Sequence, residues 1–270
     1  PIYGFMDIEA FGFEPVQDPD DSEMQLELTV NMHYSQEDRT EKVAVYHLKD
    51  SRVNIFGFRS ERFSEKQDVY VYTYEEEARN SWQISGQGHF DYFAMNVLLQ
   101  KATLELLVYL GVKPDVIHCH DGHAALLPAM MRELSGYRSF FRNTGTVVTV
   151  HNAGRGYHQE IADDDFAHAV SGLPRNVITA NQLEGKFDPL LVASRYSIMN
   201  VVSENYAIEM QTTEADEHTG WLGHVLAENG YLLEGVVNGI DPTQYDTTSP
   251  EKLNLCCGYS VAGNAELEGK

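Results

Sequence analysis

Positive charge is what this 270-residue sequence has least of: 19 Lys+Arg stand against 41 Asp+Glu, a formal charge of −22 at pH 7. Binding to phosphate backbones or anionic lipid relies on Lys and Arg displacing counterions. The deficit therefore argues against nucleic-acid and membrane-surface roles. Long apolar runs are lacking too, since the longest, around Leu104–Leu110, falls far short of the roughly 20 residues a membrane span needs. Pro1–Glu9 has neither a basic flank nor an apolar run, so no secretory leader is expected there. Cysteine is scarce and odd in number: Cys119, Cys256 and Cys257, two of them adjacent, fit a reducing compartment better than a disulfide framework. A cytoplasmic location is expected. There is no internal repeat and no low-complexity tract. What the chain does have is 43% hydrophobic and 11% aromatic residues, enough to bury a core.

Apolar residues alternate over Gln25–His33 and Lys42–Leu48, which predicts a β-hairpin, and Asp68–Tyr74 reads as a further strand. The period then changes. Met95, Leu99, Ala102, Leu106 and Tyr109 share one helical face, with Asn96, Gln100 and Thr103 opposite, until Gly111 and Pro114 end the helix. Four short apolar strands follow, at Asp115–Cys119, Gly145–Val150, Ser197–Val202 and Glu234–Val237, separated by helix-length segments such as Ala124–Leu134. That alternation predicts an α/β fold: a Rossmann-like parallel sheet flanked by helices, with an added β-hairpin region. Each strand runs into a polar group, namely His120-Asp121-Gly122-His123, His151-Asn152-Ala153-Gly154, Ser203-Glu204-Asn205 and Asn238-Gly239-Ile240-Asp241. Ligands of such sheets bind beyond the carboxyl ends of the strands, so one shared site is expected.

His118, His120, Asp121 and His123 form the densest cluster of metal-ligating types. A zinc hydrolase would need three or four such ligands. The nearest metal pattern, His-x-His-x-Asp-His, wants an Asp where Gly122 stands. His118 also reads as a core histidine and Asp121 as the N-cap of the following helix. His151 could either approach a ligand, helped by Gly154 and Gly156, or simply end its strand by bonding loop carbonyls. The Gly263–Lys270 tail has five residues between its glycines where a phosphate loop has four. The acidic runs Glu75–Glu77 and Asp163–Asp165 read as solvated faces. Some of the 15 tyrosines could serve as sugar-stacking platforms.

Pro114-Asp-Val-Ile-His-Cys-His-Asp-Gly-His123, Thr149-Val-His-Asn152, Val202-Ser-Glu-Asn-Tyr-Ala207 and Gly235-Val-Val-Asn-Gly-Ile-Asp241 occur in this order and spacing. Together they resemble the bacterial glycogen synthases and plant starch synthases. The resemblance implies a glycosyltransferase of twin Rossmann-like halves (GT-B) that moves glucose from ADP-glucose to the non-reducing end of an α-1,4-glucan with retention, without a metal or other cofactor. Residues 1–270 would then be a single N-terminal domain lacking its first strand and the C-terminal nucleotide-binding domain of the same parent chain, and inactive alone. By motif matching, His151 lies beside the transferring glucose, Asp121 binds its hydroxyls, and Asn152 and Asn238 shape the crevice.

The cations for the departing diphosphate would come from the missing second domain, and a Lys-Thr-Gly-Gly loop would precede Pro1. Two departures stand out. Gly122 replaces the family's usual Trp, and Ala153-Gly-Arg-Gly-Tyr-His-Gln-Glu160 replaces Leu-Ala-Tyr-Gln-Gly. They suggest a divergent subgroup and make Arg155, Tyr157 and Gln159 candidate crevice residues. Alternatives are a transferase with another nucleotide-sugar donor such as UDP-glucose, a metal-dependent hydrolase on the His118/His120/Asp121/His123 cluster, or a non-catalytic glucan-binding module.

Overall fold

The computed structural model describes residues 1–19, 21, 23–34, 37–48, 52–258 and 260. The described chain divides into two compact units, one from Pro1 to Gly235 and a second that begins at Val236. In the first unit, β1 (Phe13–Pro15), β2 (Glu27–Tyr34), β3 (Glu37–Leu48) and β4 (Phe56–Arg59) build an antiparallel sheet around β3. β2 pairs with its first part, Leu28 opposite Val43, while β1 and β4 share its last residues. The alternation predicted for the hairpin is present. Leu28, Val30 and Met32 are buried and Glu27, Thr29 and Asn31 exposed, because successive side chains of a strand point to opposite faces.

The second sheet is parallel throughout, with β5 (Val116–His120), β6 (Gly145–Val150), β9 (Ile198–Val201) and β10 (Glu234–Gly235) side by side in sequence order. A small hairpin, β7 (Gln182–Leu183) with β8 (Lys186–Phe187), lies between β6 and β9 in the chain. One sheet face, with Cys119, Val148, Val150, Met199 and Val201, is buried in the core. Its registered opposite face carries Val116, His118, His120, Thr149, Ile198 and Asn200. His118 is exposed there, which corrects the expectation of a core histidine. The ladder of the last strand reaches only Gly235, whose backbone meets the start of helix Glu204–Thr212: a Cβ there would lie 2.3 Å from Glu204 Cα.

Helix Tyr92–Tyr109 joins the two sheets, and one continuous hydrophobic cluster runs from Met32 and Val43 through Leu98 and Leu104 to Val148 and Val201. Being wrapped on both sides, it lacks the polar stripe predicted for it. Gln100 and Lys101 are buried, and Lys101 Nζ donates to the carbonyls of Asn31 (3.2 Å) and Val170 (2.9 Å). Burial brings the Lys101 ammonium down to about 8.

Two further expectations are corrected. Asp68–Tyr74 forms a single bridge, Val71 to Gly88, and no strand. Thr73 opens a capping box instead, with its N–H donating to Glu76 Oε2 (2.8 Å) and its hydroxyl accepting the Glu76 N–H (3.3 Å). Local cap chemistry at Thr73-x-x-Glu76 outweighs the alternation, and it buries Glu76, one of the residues expected on a solvated face. The helical run Ala124–Leu134 is in fact two helices, Asp121–Ala124 and Leu127–Glu133, the second with proline in its first turn.

The second unit holds a 3₁₀ turn at Pro250–Leu253 and Asx turns in which Asp241 and Asp246 accept the N–H groups of Thr243 (2.8 Å) and Thr248 (3.0 Å). The Gly263–Lys270 tail lies outside the described residues. No described helix is long and apolar enough to cross a membrane.

Candidate active site

The site grows from the carboxyl ends of β5, β6 and β9. β5 ends at His120, and Asp121 then turns the chain in the left-handed region (φ 57°), a conformation that Asp tolerates better than most residues. Its own helix has no side-chain cap, so the expected N-cap role is not what the carboxylate does. Asp121 Oδ1 instead accepts the backbone N–H groups of His151 (2.7 Å) and Asn152 (3.3 Å), tying the end of β5 to the end of β6. Hydrogen bonds to an ionised acceptor are the strong ones. This bridge fixes the turn that presents His151.

Across the exposed sheet face runs a row of polar groups. Thr149 Oγ1 donates to Asn200 Oδ1 (2.8 Å), so it can only accept from His118 Nε2 at 2.6 Å. That makes Nε2 the protonated nitrogen of His118. The His120 ring packs on His118 with centroids 4.4 Å apart, and its Nδ1 lies 3.0 Å from His151 Nε2. One hydrogen fits between those two nitrogens, so the pair cannot carry two full charges. Burial first, and then neighbouring His118 and His151, push the His120 imidazolium below its usual range, against an opposing pull from Asp121. The result is a continuous hydrogen-bonded row across the strand ends.

His123 points elsewhere, edge-on to Tyr70 with centroids 5.9 Å apart, and burial lowers its pKa despite nearby Asp121. Among the described residues no group of three or more His, Cys, Asp or Glu side chains is arranged to hold a metal ion. The hydrolase alternative therefore finds no support in the geometry.

After β6 the chain is held residue by residue. Asn152 Oδ1 accepts the Gly154 N–H (2.8 Å). The Ala153 N–H donates to Tyr206 Oη (3.1 Å), on the helix after β9, and the Ala153 carbonyl accepts from His158 Nε2 (2.7 Å). His158 Nδ1 meets Asp188 Oδ2 at 2.6 Å, both side chains being buried, while Asp188 Oδ1 caps helix Pro189–Tyr196 through the Leu191 N–H (2.9 Å). Gly122 lies directly beneath this loop. A Cβ there would sit 2.2 Å from the His158 carbonyl oxygen and 2.8 Å from that of Tyr157.

The structure thus brings together Asp121, Gly122, His151 and Asn152, with half-exposed Tyr157 on the adjoining loop. Arg155 and Gln159 are engaged by partners within the chain. Arg155 forms a two-pronged ion pair with Glu184 (3.0 and 2.7 Å). Gln159, itself left-handed at φ 63°, accepts from Asn96 Nδ2 at its Oε1 (2.7 Å) and donates from Nε2 to the Gly156 carbonyl (3.1 Å). Asn238 is exposed and lies in the second unit. Sequence reasoning quoted Thr149 in a motif without giving it a role, and missed Asn200, His158 and Asp188. Of these three only Asp188 carried a local signal, an Asp-Pro pair at a helix start.

Residues 1–228 match the pattern of the starch synthase catalytic domain. Glycogen synthase 1 of Geobacter metallireducens is 32% identical over 214 residues, covering 75% of this chain and 39% of that protein. The glycogen synthase of Chlorobium limicola is 30% identical over 257 residues, covering 94% and 47%. The chain thus spans less than half the length of these curated relatives. Among solved structures, the catalytic domain of starch synthase IV from Arabidopsis thaliana, bound to ADP and acarbose, superposes with a TM-score of 0.62 at 21% identity, covering 87% of this chain and 44% of that one. That likeness establishes the fold: an α/β domain built on a parallel sheet. With residues 1–228 of 270 matching the family's pattern, the chain belongs to the starch and glycogen synthase family.

Proposed function

We propose that this chain is the glucan- and glucose-facing part of a retaining glucosyltransferase that moves glucose from ADP-glucose to the non-reducing end of an α-1,4-glucan. One observation carries the reading. The carboxylate of Asp121 gathers the backbone of His151 and Asn152 at the ends of two parallel strands, beside a histidine pair that cannot be doubly charged. A glucosyl transition state is oxocarbenium-like, and positive charge at the anomeric carbon is stabilised by preorganised acceptors and opposed by cations. His151, with its backbone N–H held by Asp121, is preorganised for that demand. In the same reading, the Asp121 carboxylate accepts from glucose hydroxyls while it holds the turn, and Asn152 supplies a neutral donor and acceptor.

The donor's diphosphate needs cations. Arg155, the cation nearest in sequence to His151, is already paired with Glu184, so the reading assigns the diphosphate to a C-terminal nucleotide-binding domain of the same parent chain. No metal or organic cofactor is invoked, and the protein is placed in the cytoplasm. The names of the family relatives, and the ADP and acarbose bound to the starch synthase IV domain, support the substrate classes. The test is incorporation of glucose from ADP-glucose into glycogen by the parent protein, with UDP-glucose as competitor. Preference for UDP-glucose would overturn the donor assignment.

A further inference from the structure

Within the loop that distinguishes this chain from its family's usual pattern lies a buried ionisable pair that the proposed chemistry leaves unused. His158 and Asp188 are 2% and 1% exposed. The Ala153 carbonyl can only accept, so His158 Nε2, 2.7 Å away, carries a hydrogen. Asp188 Oδ2 lies 2.6 Å from Nδ1, and Asp188 Oδ1 is occupied by the Leu191 N–H. Facing a carboxylate, Nδ1 must carry a hydrogen as well. The ring is then an imidazolium with both nitrogens donating.

We propose that His158 is a positioning residue: as an imidazolium clamped between the Asp188 carboxylate and the Ala153 carbonyl, it holds the His151–Asn152 turn, and loss of its proton loosens that turn. The coupling is short. His151 and Asn152 give their N–H groups to Asp121, Ala153 gives its own to Tyr206, and the carbonyl of Ala153 belongs to His158. Three consecutive residues are thus fixed by backbone bonds, the last of them dependent on His158. Loss of one proton leaves a ring lone pair facing an acceptor, the Asp188 carboxylate on one side or the Ala153 carbonyl on the other. The N–H that remains stays on the charged carboxylate, the stronger acceptor, so Ala153 loses its donor.

The charged groups around the ring favour the cation. Asp188 faces it from the start of helix Pro189–Tyr196, Glu160 from its own loop, and Glu184 from the β7–β8 turn, the last already paired with Arg155. On the side of Gly122 the contact is backbone only. Burial works against the charged ring. The bond and charge of Asp188, then the Ala153 carbonyl and Glu160, outweigh it and raise the pKa above the usual histidine value. The sign follows: the clamp is fully present below the ordinary histidine pKa and is lost as pH rises through the raised one.

The clamp can be tested on this chain without reference to catalysis, so its outcome is separate from that of the proposed function, on which only its catalytic meaning rests. Long-range proton–nitrogen NMR of the histidine rings should show His158 with both nitrogens protonated at neutral pH. Its deprotonation should accelerate amide exchange at His151 and Asn152. In Asp188→Asn, which still caps Leu191, that step should move to lower pH. In His158→Gln, which can donate to Ala153 but does not titrate, the two amides should stay protected with no such step. A singly protonated His158 at neutral pH, or exchange at His151 and Asn152 that ignores its titration, would overturn the proposal. So would a step that persists in His158→Gln. A clamp that passes these tests in a parent protein without transferase activity would refute the function and leave the clamp standing.

Discussion

The carbonyl oxygen of His158 occupies the place where a side chain on Gly122 would begin, 2.2 Å from the position of its Cβ. Two departures from the family's pattern, a glycine after Asp121 and an altered loop after Asn152, are therefore one packing arrangement. The loop can lie against the helix at 121–124 only because position 122 has no side chain.

Gly122→Ala should accordingly be destabilising, by roughly 1–3 kcal/mol, the range for overpacking a filled site, and Gly122→Trp more so. Replacing residues 153–160 by a Leu-Ala-Tyr-Gln-Gly loop should recover much of the loss for Gly122→Trp. Chemical denaturation of these three variants and of the loop replacement alone measures this. Additive effects of the two changes would show that the glycine and the loop are independent.

Asp121 contributes two charge-assisted bonds across the strand ends. Asp121→Ala loses both acceptors and places alanine at φ 57°, so a cost of about 2–4 kcal/mol is expected from the bonds and the strained backbone together. Asp121→Asn retains an acceptor and the conformational tolerance and should cost less. Amide exchange at His151 and Asn152 should accelerate in both variants, more in the alanine form.

Lys101 gives stability an unusual alkaline rise. Its folded-state pKa of about 8 lies below the ordinary 10.5, so the unfolded chain binds the extra proton between those values and stability increases with pH there. The full effect is on the order of 3 kcal/mol from a shift of that size. From about pH 9 the ordinary ionisation of Cys119, held near 12 here, begins to oppose it, and from about pH 10 that of several buried tyrosines, likewise held near 12, adds to the opposition. Urea unfolding of the parent sequence and Lys101→Met from about pH 7.5 to 9.5 should show a rise in the first and its loss in the second.

Cys119 is buried in β5, and burial pushes its thiol up to about 12, whereas Cys256 and Cys257 are exposed. A thiol reagent at neutral pH should modify the exposed pair quickly and Cys119 only after denaturant is added. Equal rates for all three would contradict the placement of β5.

Much of the fold could be read from periodicity because the relevant signals are local. The alternation at Leu28, Val30 and Met32 marks a half-buried strand, and the apolar strands that end at His120, Val150 and Val201 mark a parallel sheet. Where local signals compete, the reading failed: at Thr73 a capping box defeats an alternating pattern. The stripe of helix Tyr92–Tyr109 misled for another reason. Burial of Gln100 and Lys101 depends on a second layer that the helix's own sequence does not encode. In the site, Asp121, His151 and Asn152 stood out by motif. Thr149 was quoted within a motif but without a role, and Asn200, His158 and Asp188 did not stand out, since their roles come from partners 30 or more positions away. Arg155 and Gln159 looked available only because Glu184 and Asn96 were not yet beside them.

The central claim is that the strand-end cluster around His151 carries out glucosyl transfer, and it is tested most directly by measuring glucose transfer from ADP-glucose to glycogen by the parent protein and its His151→Ala variant, with folding checked by circular dichroism. The account predicts that the folded variant loses transfer by about a hundredfold or more, the scale for removing one preorganised catalytic group. Undiminished transfer in a folded His151→Ala protein would contradict it.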